Sequence, residues 1–190
     1  MAKTGERKAQ ILQTLAAMLE DPKGERVTTA LLAARLEVSE AALYRHFSSK
    51  AQMFEGLIEF IEQTVFSLVN RIQAEEQDAM KQVEATVTTL LGFAQKNPGM
   101  TRVLIGDALV NEDERLQSRV NQLLDRLEAS LRQSARLAAN AGTFPGDWDV
   151  NAYANAVIAF VVGRWHQFAK SGFKRAPMED WAQQWRVFSA

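Results

Sequence analysis

Residues 28–58 of the chain read TTALLAARLEVSEAALYRHFSSKAQMFEGLI. Leucines at three-to-four spacing indicate two short helices, which a tight turn at residues 37–38 separates. Thr28 or Thr29 can cap the first helix and Ser39 can cap the second, because a hydroxyl accepts a hydrogen bond from a backbone N–H group. The pattern is that of a helix-turn-helix.

Helical periodicity continues on both sides of this stretch, and no segment alternates in the manner of a strand. The predicted helices outside the motif cover residues 6–20, 50–73, 78–96, 100–110, 113–139 and 148–170, and a last one carries Trp181, Trp185 and Phe188. We therefore predict an all-α fold. A three-helix head occupies residues 1–49, and a larger helical bundle for dimerisation and regulation occupies residues 50–190.

Composition narrows the class of protein. Hydrophobic residues make up 47% of the 190, which is enough for a core and too much for a disordered chain. The net charge is -1, but residues 1–50 carry +2 and the remainder carries -3, so the N-terminal part is the better candidate to face phosphate. No apolar run approaches the ~20 residues that a membrane helix needs, so we predict no membrane association.

Catalysis and metal binding are not indicated. The chain has no cysteine, which excludes disulfides and thiolate chemistry and suits a cytoplasmic protein. It contains no Ser/His/Asp pattern, no glycine-rich phosphate loop and only two histidines, which are far apart. The second of these, His166, lacks a further ligand at helical spacing. We predict a protein that is not an enzyme and has no cofactor.

The residue types of the motif suit DNA. Small residues open the second helix and would let it approach base edges, while the hydroxyl, guanidinium, imidazole and ammonium groups around it can donate to phosphate. The candidate DNA-contacting residues are Thr28, Thr29, Ser39, Ala41, Ala42, Tyr44, Arg45, His46 and Lys50. The alternative is an ordinary helical hairpin whose polar residues are merely solvated.

The whole stretch resembles the TetR family of regulators, and the tract LYRHFSSK at residues 43–50 is similar to that family's signature. The resemblance implies a DNA-binding head, a helical body and a homodimer on palindromic sites. It also implies that Tyr44, His46 and Lys50 contact phosphate. The base-reading positions would be Ala41, Ala42 and Arg45, with Thr29 nearby.

A narrower resemblance extends through the body. The tracts LLGFAQKNPGMTRVLIGDAL at 90–109, ERLQSRVNQLLDRLEASLRQ at 114–133 and SGFKRAP at 171–177 are similar to TetR-like nucleoid occlusion factors. Such proteins bind short palindromes scattered over the chromosome and antagonise the division protein FtsZ. The resemblance implies a protein located on the nucleoid that holds the acidic, apolar C-terminal tail of FtsZ.

A groove for such a tail needs exposed apolar residues beside positive charge. The candidates are Phe60, Gly92, Lys96 and Asn97. Gly92 would let a peptide backbone approach closely, and Lys96 could meet its carboxylates. The alternative is that Phe60 belongs to the core and that Lys96 is an ordinary charge at the end of a helix.

The predicted dimer surface lies on the last two helices. Ala152, Ala156, Ala159 and Gly163 form a stripe of small residues that permits close helix packing, and Phe160 and Trp165 could fill the surface of the second copy. The alternative is that all of these residues pack within one subunit.

A ligand-responsive repressor is the competing function. It would require a pocket inside the body, and Thr86, Thr88 and Thr89 could form one polar wall of it. The alternative for these threonines is that their hydroxyls bond to the backbone of their own helix.

Overall fold

The computed structural model describes residues 4–21, 27–144 and 148–189. The helices are α1 Thr4–Met18, α2 Thr29–Arg35, α3 Glu40–Tyr44, α4 Lys50–Glu75, α5 Ala79–Lys96, α6 Pro98–Leu104, α7 Glu114–Asn140, α8 Val150–Lys170 and α9 Trp181–Phe188, and a short 3-10 turn covers Asp107–Leu109. No strand occurs in these ranges, so the all-α prediction is confirmed. None of the helices in the described ranges is long and apolar enough to cross a membrane.

Contacts divide the chain into two compact units. The first unit contains Met1–Ile61 and Asn97–Val120, and the second contains Glu62–Lys96 and Asn121–Ala190. These units differ from the predicted domains, 1–49 and 50–190, because the start of α4 and the whole of α6 group with the N-terminal helices.

The first unit is built around the apolar stripe of α1, in which Ile11, Leu15 and Leu19 are buried as periodicity predicts. Helix α6 lies directly on α1 at Gly99, where an added Cβ would stand 2.0 Å from the carbonyl oxygen of Ala16. Only glycine allows the two backbones to come this close.

Helix α6 is shorter than the sequence predicts. We expect a helix over residues 100–110, but α6 ends at Leu104. Gly106 adopts a left-handed conformation with φ +78, which ends the helix and leads into the 3-10 turn. Arg102 donates to the carbonyl oxygens of Leu19 and Asp21, and it also pairs with Asp107, so its guanidinium secures the end of α1.

In the second unit, α5 packs against α8. A buried amide, that of Gln82, ties three helices together here. Its Nε2 donates to the carbonyl oxygens of Gln73 and Glu76 at the end of α4, and its Oε1 accepts from the hydroxyl of Ser134 on α7. The buried polar atoms are thereby paired, as a packed core requires.

Arg164 on α8 holds the segment that precedes α9. Its guanidinium donates to the carbonyl oxygens of Ala176, Pro177 and Glu179. The indole of Trp181 then anchors the start of α9 by donating to the hydroxyl of Thr88.

The threonines of α5 give little support to a polar pocket wall. The hydroxyl of Thr88 donates to the carbonyl oxygen of Glu84 in its own helix while it accepts from Trp181, and Thr86 is buried. At Thr88 the alternative, a bond to the helix backbone, is therefore the observed one.

Candidate nucleic-acid interface

The helix-turn-helix forms because each short helix is capped. The side chain of Thr28 accepts from the backbone N–H of Leu31, and that of Ser39 accepts from the backbone N–H of Ala42. The two predicted caps are thus confirmed, and Thr28 rather than Thr29 caps α2. Glu37 takes a left-handed conformation with φ 55 in the turn between the helices.

One face of α2 and α3 is fixed by burial. Leu32, Leu43 and Phe47 are buried, so the opposite face of α3 is directed outward. All of the candidate DNA-contacting residues are exposed or half-exposed, which is what a nucleic-acid face requires.

Side chains of α2 and α3 are joined on this outer face. The phenol of Tyr44, which is 45% exposed, donates to Thr29 Oγ1 across 3.5 Å, and Thr29 Oγ1 donates to Glu40 Oε2 across 2.6 Å. Glu40 is not among the DNA-contacting residues that the sequence predicts, although its position directly after the Ser39 cap, at the start of α3, is readable from the sequence.

His46 is half-buried, and its Nδ1 atom is enclosed without a hydrogen-bond partner in the part of the chain that the structure describes. Any contact between this ring and a phosphate therefore has to use Nε2.

Lys50 is half-buried and paired with a carboxylate within its own unit. Its Nζ lies 2.5 Å from Glu112 Oε1, and the two side chains are only 22% and 11% exposed. The lysine also stands over the ring of Phe54, 5.6 Å from its centroid. A phosphate that approaches Nζ therefore has to compete with the Glu112 carboxylate.

Replacing Glu112 with glutamine should therefore strengthen DNA binding, because it removes a charge that competes with phosphate for Nζ. We expect a gain of about two- to fivefold, which corresponds to about 0.4–1 kcal/mol. Fluorescence anisotropy with labelled DNA at fixed salt measures the change. The control is Glu114→Gln, which removes the same charge at an exposed position two residues away. An equal gain from the control, or a gain that persists when Lys50→Ala is added, would contradict this role of Glu112.

The tail-binding candidates are distributed over both units. Phe60 and Asn97 belong to the first unit, and Gly92 and Lys96 belong to the second. Phe60 is 46% exposed, so the alternative that places it in the core is wrong. Lys96 is exposed, and a Cβ added to Gly92 would meet nothing within 4 Å.

The small-residue stripe of α8 faces outward. Ala152, Ala156, Ala159 and Gly163 are all exposed. Phe160 is half-buried and packs in its own chain against Trp181 and Phe188, with ring centroids 5.7 and 5.2 Å away.

Trp165 corrects the prediction of the dimer surface. It is 1% exposed, and its indole donates to the carbonyl oxygen of Leu90 across 3.2 Å. A side chain so enclosed belongs to the core of its own chain and cannot fill the surface of a second copy.

A helix-turn-helix with donors on its outer face, joined to a helical body, defines the class of TetR-type DNA-binding regulators. The family of bacterial regulatory proteins named tetR matches residues 16–57, and the SlmA-like form of the tetracyclin repressor-like C-terminal domain matches residues 77–190. The chain belongs to the TetR family and, within it, to the SlmA family.

Relatives support this assignment over nearly the full length. The nucleoid occlusion factor SlmA of Marinomonas sp. (strain MWYL1) is 49% identical over 187 residues, covering 98% of this chain and 95% of the relative. The nucleoid occlusion factor SlmA of Alteromonas mediterranea is 50% identical over 184 residues, covering 96% and 93%.

Solved structures agree on the fold alone, since their identities are low. The fatty acid degradation regulator FadR of Bacillus halodurans has a TM-score of 0.81 at 14% identity, covering 99% of this chain and 97% of its own. The TetR family regulator PfmR of Thermus thermophilus has a TM-score of 0.75 at 20% identity, covering 94% and 96%.

Proposed function

We propose that the chain is a nucleoid occlusion factor, a homodimer that binds palindromic double-stranded DNA on the nucleoid in the cytoplasm and antagonises FtsZ assembly there. The observation that carries the proposal is the identity of about one half, over nearly the whole chain, to proteins named nucleoid occlusion factor SlmA. The similarity includes the body and not only the DNA-binding head, which favours this function over that of a ligand-responsive repressor.

On DNA, a twofold dimer sets its recognition helices about 34–36 Å apart, one turn of the double helix. In our proposal, Ala41, Ala42 and Arg45 lie against base edges. The residues proposed to contact the strands beside them are Thr28, Thr29, Ser39, Tyr44, His46 and Lys50. Their exposure, and the caps that orient α2 and α3, support this division. The single hydroxyl hydrogens of Tyr44 and Thr29 are donated within the chain, so a phosphate contact from Tyr44 requires its phenol to turn away from Thr29, and Thr29 lies beside the DNA as the partner of Glu40.

The dimer uses the exposed stripe of α8, with Phe160 at its edge. Small side chains let two helices approach closely, so that backbone and Cβ atoms of the two copies pack against one another. Gly163 suits such a contact because a Cβ added there meets nothing within 4 Å in its own chain.

In our proposal, the FtsZ tail contacts an aromatic residue and a positively charged residue. Phe60 offers an exposed ring to apolar tail residues, and Lys96 offers a charge to tail carboxylates. Gly92 and Asn97 complete the proposed set. Each feature is proposed for its own unit: an exposed aromatic ring in the first and an exposed ammonium group in the second.

The test is a titration of the DNA-bound protein with an FtsZ tail peptide, followed by anisotropy. We expect saturable binding that Phe60→Ala weakens at least about tenfold, because aromatic anchors commonly contribute more than ~1.4 kcal/mol. Val110→Ala is the control, since Val110 is an exposed apolar residue of the same unit, at 66%. A peptide that fails to bind would refute the FtsZ part of the function. Binding that Phe60→Ala and Val110→Ala leave equally intact would refute only the assignment of Phe60 as the anchor.

A further inference from the structure

We propose that Glu40 reads a cytosine in each half of the DNA site and that Thr29 is the residue that positions its carboxylate. The inference rests on the proposed function, because it assigns a base to a position of the same DNA-binding face.

The geometry singles out this carboxylate. Glu40 is the first residue of α3, where a recognition helix meets base edges, and it is exposed. Its Oε2 accepts from the hydroxyl of Thr29 on α2, which leaves Oε1 available for a further donor. The phenol of Tyr44 in turn donates to Thr29, so residues of both helices orient the group.

The neighbours of Glu40 leave room for a base. The residues that follow it, Ala41 and Ala42, end at Cβ and are exposed and half-exposed. No long side chain at the start of α3 therefore keeps the helix away from the floor of the major groove.

Charge then indicates what the carboxylate binds. DNA phosphates repel a negative group, so a carboxylate on this face weakens binding unless it meets a donor. In the major groove, the base donors are the amino groups of cytosine and adenine. Adenine places the acceptor N7 beside its amino group, which suits an amide that both donates and accepts. A carboxylate only accepts, so it matches cytosine, which presents a donor without that acceptor.

The experiment is selection of DNA from a random pool with the full-length wild-type protein and with Glu40→Ala, Glu40→Gln and Thr29→Ala. We expect the wild type to recover a palindrome with a fixed C·G pair at two symmetry-related positions. Glu40→Ala should lose the preference at that pair, about tenfold for each half-site, and Glu40→Gln should shift it toward adenine. Thr29→Ala should weaken the same preference, and Thr29→Ser should restore it.

A second carboxylate variant distinguishes recognition of a base by Glu40 from simple repulsion between a carboxylate and the DNA phosphates. Glu40→Ala should also strengthen binding to random DNA, because one repulsive charge is removed. Glu37→Gln removes an exposed carboxylate from the turn of the same motif, and it should strengthen random binding without altering the selected sequence.

The possible failures are distinguishable. If the wild type enriches no sequence, the proposed function fails. If the wild type enriches a palindrome and the Glu40 variants enrich the same one, only the base-reading role fails. If Thr29→Ala leaves the motif unchanged while Glu40→Ala alters it, the positioning role of Thr29 is overturned.

Discussion

Replacing Ala156 with glutamate is expected to dissociate the homodimer and to weaken binding to a palindromic site about a hundredfold or more. Ala156 lies in the middle of the exposed stripe of α8, where a close-packed interface would leave the new charge without a partner. Each subunit carries one head. Separation of the subunits therefore removes the second head from the site, and the gain in affinity from two linked heads, about 10²–10⁴, is lost.

Light scattering after size exclusion measures the mass of this variant, and anisotropy measures its affinity for DNA. The helix content of the variant, measured by circular dichroism, should match that of the wild type, because Ala156 is exposed in its own chain. The matched control is Ala129→Glu, an exposed alanine of α7 outside the proposed interface. A dimer that persists in Ala156→Glu, or that Ala129→Glu disrupts equally, would move the interface to another surface.

Replacing Gly99 with alanine is expected to lower the free energy of unfolding by at least about 3 kcal/mol, the range of severe backbone and packing defects. The new Cβ would lie 2.0 Å from the carbonyl oxygen of Ala16. This atom belongs to the backbone of a helix, so it cannot rotate away as a flexible side chain could. Helix α6 would have to move off α1, and the core around Leu15 and Leu19 would open.

Gly92 is the matched control for this prediction, because the same substitution there meets no neighbouring atom. Gly92 lies inside α5, and a Cβ there meets nothing within 4 Å. Gly92→Ala should therefore stabilise the chain by about 0.5–1 kcal/mol through helix propensity alone. Urea unfolding compares the two variants with the wild type. Similar midpoints for Gly99→Ala and the wild type would mean that α1 and α6 are farther apart than described.

Local sequence was sufficient for most of the helices, because the buried residues of each one recur with helical periodicity. Local sequence was insufficient where the end of a helix depends on the backbone dihedral angle of one residue. Nothing in the tract before Gly106 distinguishes a glycine inside a helix from one with positive φ, so α6 was predicted too long.

Contacts between distant residues explain the errors at the candidate sites. Lys50 and Glu112 are 62 positions apart, so no local pattern reveals their ion pair. Tryptophan is a common residue type at protein interfaces, so the sequence favours that role for Trp165. In the structure its side chain is buried and its indole donates to the carbonyl oxygen of Leu90, 75 positions earlier. Glu40 is absent from the predicted set because a negative charge is not expected beside phosphate, and its bond to Thr29 is an observation that the sequence does not provide.

The way in which Arg164 holds the segment before α9 has a consequence for how this protein can vary. Its three acceptors in this segment are main-chain carbonyl oxygens, which every amino acid carries. Substitutions at positions 176, 177 and 179 can therefore accumulate without loosening the C-terminal helix, as long as the arginine itself is retained.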